Sequence, residues 1–280
     1  MHRARSPRRP LHMTTRSGPA PASPATRPGA ALVTGASAGL GACFARALAA
    51  RGRDLVLVAR RTERLEALAA ELGGRVRVEV LPLDLVTDGA TERLAAFCAE
   101  RDLAVDLLVN NAGFGAQGAF ARLDRERQTR MLRLNGEVLV DLTHRFVGPM
   151  LERGHGGVLN VASTAAFMPG PHMGVYYASK AFVLHFTEAL AAEVRGSGVR
   201  VSALCPGPTE TEFREVAGRP RSRVLDSVAM QAEPVVEAGL RGLERGRTVV
   251  VPGAFNTLCA VAVRALPRAV VRRVVERIQR

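Results

Sequence analysis

The chain has 280 residues, 47% of them hydrophobic and 23% charged, with a formal net charge of +13. That is enough chain for one large α/β domain with a substantial core, while the absence of Trp and the presence of only two Tyr exclude an aromatic stacking platform for single-stranded nucleic acid. The basic excess lies at the ends: residues 1–28 hold six arginines and no acid, residues 264–280 hold six arginines and one acid, and residues 29–263 carry only +2, which argues for basic tails on a nearly neutral body and against nucleic-acid binding.

Residues 1–28 are rich in Pro, Arg, Ser and Ala and lack a hydrophobic run, so they read as a disordered basic extension. They contain no apolar signal core; their arginine excess resembles a transit peptide, but the repeated prolines oppose an amphipathic helix, and Met13 is an alternative start. From residue 30 the pattern alternates: a strand at 31–33, a helix at 43–50, a strand at 54–58, and a helix at 62–72 with Thr62 as its N-cap. A strand at 76–81, a helix at 91–101 and a strand at 107–109 follow. Then come one long helix near 125–151, a strand at 158–161, a second long helix near 177–195, and strands at 199–204 and 248–251. The strands are continuous apolar runs, as in a parallel sheet covered on both faces. The prediction is a single doubly wound, Rossmann-like α/β domain of three layers over 29–254, with ligands beyond the carboxyl ends of the strands. Residues 255–280 read as a basic amphipathic helical tail that docks on the domain's own surface; the sharper alternative is attachment to an anionic membrane surface, since the tail is too charged to span one.

Three features carry chemistry. The run Thr34-Gly35-Ala36-Ser37-Ala38-Gly39-Leu40-Gly41 follows the first strand and precedes a helix, and its glycines let a pyrophosphate approach free backbone N–H groups. After the second strand, Arg60 and Arg61 stand where a dinucleotide places its adenosine ribose. With Ala59 in place of a carboxylate there, the pair favours a 2′-phosphate and hence NADP(H) over NAD(H). The only lysine, Lys180, lies four residues after Tyr176, so on a helix the two share a face and the ammonium favours the ionised phenol. Tyr177, three residues before Lys180, competes for the same role. Cys43, Cys98, Cys205 and Cys259 form no C-x-x-C pair, which argues against a zinc ribbon or dithiol motif and fits a reducing cytoplasm; the six histidines show no metal-binding spacing.

Together with Asp84, Asn110-Asn111-Ala112-Gly113, Asn135, Ser163 and Pro206-Gly207, these motifs make a chain that resembles the standard single-domain branch of the short-chain dehydrogenase/reductase family over residues 30–254. The resemblance implies Tyr176 as general acid in reduction and base in oxidation. It implies Lys180 on the nicotinamide ribose, Ser163 on the substrate oxygen, and Asn135 holding a water that links Lys180 to solvent. Gly35, Ser37, Gly39, Leu40, Gly41, Asp84, Asn111, Gly113, Pro206, Gly207 and Thr209 are the implied cofactor contacts beside Arg60 and Arg61. The family's thirteen-residue interval from Ser163 selects Tyr176 over Tyr177.

The expected activity is hydride transfer between NADP(H) and a carbonyl or secondary alcohol, in a homo-oligomer formed through the two long helices. The substrate wall is expected from Phe114-Gly115, the loop 167–175 and the segment from 208 to about 230, where Phe114, Phe167, Met168, Met173 and Phe213 make it apolar and favour a hydrophobic ketone, aldehyde or acyl group. The alternative is an NADP(H)-binding sensor or scaffold without turnover; His172 reads as a surface or packing residue, with substrate contact as its alternative.

Overall fold

A computed structural model describes residues 29–218 and 226–279. The expected disorder of residues 1–28 lies outside the described residues. Seven parallel strands form one sheet in the order β3-β2-β1-β4-β5-β6-β7. They are β1 (Ala30–Thr34), β2 (Leu55–Ala59), β3 (Val78–Pro82), β4 (Val105–Asn110), β5 (Gly156–Val161), β6 (Val199–Leu204) and β7 (Val249–Val250).

The apolar runs explain the layering. Along the central strands, alternate residues go to opposite cores: Ala31, Val33, Leu55, Leu57, Val109 and Leu159 to one, and Leu32, Val56, Val58, Leu108 and Val158 to the other. The first core is covered by α1 (Gly39–Ala50), α2 (Thr62–Leu72) and α8 (Ala232–Glu244), which follows the one-turn α7 (Phe213–Val216), through residues such as Phe44, Leu65 and Leu240. The second is covered by α3 (Ala90–Glu100), α5 (Val138–Arg153) and α6 (Gly174–Glu193), with Leu94, Leu142 and Phe146 fully or nearly buried. The strand order reverses between β1, which pairs with β2 on one side, and β4 on the other. That switch point is where a doubly wound sheet opens a crevice.

Buried polar groups lock the middle of the sheet. Asn110 Nδ2 donates to Asn160 Oδ1 at 2.9 Å and to Thr143 Oγ1 at 3.0 Å, and Asn160 Nδ2 donates to Thr187 Oγ1 at 3.0 Å. This chain joins β4 and β5 to the helices on one face, and it left no periodic signal in the sequence.

Three local expectations need correction. Thr62 is the first residue of α2, not its N-cap; that place belongs to Arg61, with no side-chain cap bond. The single helix expected near 125–151 is α4 (Arg125–Leu132), a π-helical turn (Arg133–Glu137), then α5. The tail is two helices, α9 (Ala254–Ala265) and α10 (Arg268–Gln279), because Pro267 lacks an amide N–H and sits at the junction.

Candidate active site

The carboxyl ends of β1 to β6 surround a cavity of about 510 Å³. Its floor is the glycine turn after β1. Gly35 has φ +68°, in the left-handed region that a Cβ disfavours. At Gly41 a Cβ would sit 2.2 Å from the Gly35 carbonyl oxygen and 2.7 Å from Asn111 Nδ2, so only glycine lets α1 close on the turn. Asn111 holds that turn in place: its Nδ2 donates to the Thr34 carbonyl at 2.8 Å, and its N–H donates to Thr34 Oγ1 at 3.0 Å.

Lys180 and Tyr176 come off the first turns of α6, both buried and both lining the cavity. Lys180 Nζ lies 5.9 Å from the centre of the Tyr176 ring and donates to the Val161 carbonyl at 2.7 Å. Burial pulls the Lys180 ammonium down to about 8, opposed by the nearby Cys205. Burial likewise pushes the Cys205 thiol up to about 12, which makes it a neutral packing group. Ser163 stands two residues beyond β5 and caps a short 3-10 turn, Thr164–Phe167. Its Oγ accepts from the Ala165 N–H at 3.1 Å and donates to the Pro206 carbonyl at 3.4 Å.

The π turn places Asn135, which is 1% exposed and stands behind the cavity wall. Its Oδ1 accepts from the Phe114 N–H at 3.2 Å, and its Nδ2 donates to the Phe114 carbonyl at 3.0 Å and to Ser179 Oγ at 3.1 Å. Ser179 Oγ donates to the Tyr176 carbonyl at 2.7 Å. One amide thus ties the loop after β4 to the helix carrying Tyr176 and Lys180. π turns are often found at functional sites.

Gly35, Ser37, Gly39, Leu40, Arg60, Arg61, Asp84, Asn111, Gly113, Ser163, Tyr176, Lys180, Pro206, Gly207 and Thr209 all line this one cavity. Gly41 and Asn135 do not; they act from behind the wall. Several of the lining groups are already engaged. Arg61 Nη1 pairs with Glu212 at 2.9 Å and its Nε donates to Ser37 Oγ at 3.2 Å, while Arg64 also pairs with Glu212. Hydrogen bonds from Arg64 and then Arg61 hold the Glu212 carboxyl below its usual range. Asp84 Oδ2 pairs with Arg130 at 2.8 Å.

The substrate side is only partly as expected. Phe114, Met168 and Phe213 line the cavity, and Phe213 packs against the Tyr176 ring at 5.1 Å between centroids. Met173 is buried behind Gly115, and Phe167 lies under the Arg264 guanidinium at 5.8 Å. His172 lies outside this cavity. Residues 219–225 of the expected wall lie outside the described residues.

In addition, α10 folds back over the domain, so that Val275, Ile278 and Gln279 complete the wall. Gln279 Nε2 donates to the Tyr177 hydroxyl at 2.6 Å, and its carbonyl accepts from Gln117 Nε2 at 2.7 Å. The tail's amphipathic period was visible in the sequence; its partners, more than a hundred residues away, were not. Arg130 and Glu212 were also missed, because isolated charges, one on a helix and one in a turn, carry no pattern that marks them as lining the cavity.

The glycine cradle, the buried lysine and the size of the cleft fit a nicotinamide dinucleotide. Among the described residues no group of His, Cys, Asp or Glu is placed to hold a metal ion.

Comparison with known proteins agrees. A family model for short chain dehydrogenase matches residues 29–221. The chain is 38% identical over 213 residues to a sulfoacetaldehyde reductase of Chromohalobacter salexigens, covering 74% of this chain and 84% of that one. It superposes with a TM-score of 0.76 on a short-chain dehydrogenase from Sphingobium yanoikuyae in complex with NADPH, at 34% identity over 85% of this chain and 92% of that one. A bulky-bulky ketone specific alcohol dehydrogenase from Comamonas testosteroni gives a TM-score of 0.72 at 30% identity, covering 86% and 93% of the two chains. The chain therefore belongs to the short-chain dehydrogenase family of oxidoreductases.

Proposed function

We propose that the protein transfers hydride between NADP(H) and the carbonyl or secondary alcohol of a bulky hydrophobic compound, with Tyr176 as the acid–base group. The observation that carries this reading is the only lysine of the chain, buried beside the Tyr176 ring in the cavity above the glycine turn. Bound NADPH supplies the hydride. In reduction the Tyr176 phenol gives its proton to the carbonyl oxygen, and the Ser163 hydroxyl donates to that oxygen as negative charge develops on it. Lys180 binds the nicotinamide ribose and keeps positive charge beside the phenol. Asn135 is assigned the water that connects Lys180 to solvent.

Arg60 and Arg61, exposed at the end of β2, are assigned to the 2′-phosphate. The NADPH of the Sphingobium neighbour supports that preference. Asp84 is assigned to the adenine, the 110–113 segment to the cofactor pocket, and Pro206, Gly207 and Thr209 to the nicotinamide end.

The substrate class rests on the wall. Phe114, Met168, Phe213, Val216, Val275 and Ile278 are apolar, and Arg214, which also lines the cavity, is paired with Asp226. Such a wall suits the kind of ketone in the Comamonas enzyme's name better than the small anionic aldehyde in the Chromohalobacter enzyme's name. A homo-oligomer through α5 and α6 is supported by exposed Leu151 and by exposed Phe182 stacked on Phe186.

Consumption of NADPH and NADH, followed side by side on sulfoacetaldehyde, short aldehydes and bulky ketones, tests the reading. We expect NADPH with bulky ketones to give kcat/KM at least about tenfold above the other combinations. Preference for NADH, or for the anionic aldehyde, would overturn the corresponding half. Tight cofactor binding without turnover on any carbonyl would overturn the enzymatic reading and favour a sensor.

A further inference from the structure

The two carboxy-terminal helices leave an apolar face uncovered. Residues 254–263 carry no charged side chain. On α9, Phe255, Leu258 and Val261 are 59%, 66% and 60% exposed, while Asn256 and Ala260 are buried. At about 100° per residue these three fall on one side of the helix. On α10, Val270, Val274 and Ile278 recur every four residues and remain 41–48% exposed, beside the buried pair Val271 and Val275. Single exposed apolar residues are ordinary, but three along one side of each of two successive helices call for a partner.

Charge decides which partner. The same two helices carry Arg264, Arg268, Arg272, Arg273 and Arg277 against one acid, Glu276. A second copy meeting this face through two-fold symmetry would set the same five guanidiniums against one another. Residues 1–28, with six arginines and no acid, meet the same objection. An anionic bilayer offers apolar depth and negative headgroups together. No described helix is long and apolar enough to cross a membrane, so the contact lies in the interface plane.

We propose that α9 and α10 form a docking surface for an anionic lipid bilayer, with Phe255, Leu258 and Val261 entering the headgroup boundary and the arginines holding lipid phosphates. Ile278 belongs both to this surface and to the cavity wall, so the docked face reaches the rim of the active site. The proposal stands independently of which carbonyl compound is reduced.

The test is co-sedimentation of the full chain with vesicles of phosphatidylcholine alone, or with about one-third phosphatidylglycerol, at low and high salt. The intact protein is expected to sediment with the anionic vesicles only, and less at high salt. Leu258→Glu with Val261→Glu, and separately Arg273→Glu with Arg277→Glu, should each weaken binding at least about tenfold. NADPH binding by these variants, read by cofactor fluorescence, should stay unchanged and certify their fold. Absence of vesicle binding, or equal binding by the Leu258/Val261 variant, would overturn the proposal. So would light scattering that shows a dimer lost in that variant, since a second copy would then own the face.

Discussion

Lys180 meets two demands that arginine cannot meet together. In the proposed mechanism it must fit a buried site on α6 and supply a group whose proton can be lost within the working pH range. Burial lowers its folded pKa to about 8 from the model-compound 10.5, so the charged form costs stability below pH 8, and that cost fades as the pH rises toward 10.5. The ammonium needed beside Tyr176 is therefore present at pH 7 and lost as the pH passes 8. Carbonyl reduction is expected to fall above that point, and Lys180→Arg should lose most of the rate at every pH. A wild-type rate flat to pH 10 would contradict the assignment. Gly41 makes a packing prediction of the same scale. Gly41→Ala puts a methyl 2.2 Å from the Gly35 carbonyl, so α1 must move off the turn. We expect a loss of about 1–3 kcal/mol in denaturant unfolding and at least about tenfold weaker NADPH binding; unchanged affinity would show that the turn tolerates the shift.

At the scale of elements, two loops meet across the cofactor cleft through charge. Glu212, after β6, holds both Arg61 and Arg64 at the start of α2. In the proposed complex the 2′-phosphate competes with this carboxylate for Arg61. The pairs are largely exposed, so each contributes at most about 1 kcal/mol. Glu212→Gln should therefore tighten NADPH binding by up to about fivefold and leave NADH binding unchanged in the same titration; weaker NADPH binding would show that Glu212 supports the site instead.

The elements themselves differ in how far the sequence disclosed them. α2 and β6 match their expected spans, 62–72 and 199–204, because an apolar pattern there ends at Gly, Arg or Pro. Glycine spacing and the Tyr176–Lys180 interval fixed the site's location, since both depend on local backbone geometry. The π turn around Asn135 was hidden, because one extra residue per turn leaves the apolar period of 125–151 almost unchanged. The role of α10 was hidden for another reason. Its anchor is the Gln279–Tyr177 hydrogen bond, and nothing in the tail's own composition names a partner in α6.

For the whole molecule, the proposed chemistry lies at the sheet's switch point, and the end of the chain contributes to the cavity wall. α10 supplies Val275, Ile278 and Gln279 to the cavity. Removing residues 268–280 is expected to raise KM for bulky ketones by about tenfold while leaving the NADPH dissociation constant unchanged. Equal loss of both would mean that the truncation damages the fold and not the wall.

The central claim is that the Tyr176 phenol protonates the carbonyl oxygen. Single-turnover oxidation of bound NADPH by a reducible bulky ketone, compared between the intact protein and Tyr176→Phe, tests it most directly. The variant is expected to be slower by about 10²- to 10⁴-fold, with NADPH affinity unchanged because the ring and its neighbours remain. A variant that still oxidises NADPH at the intact protein's rate would contradict it.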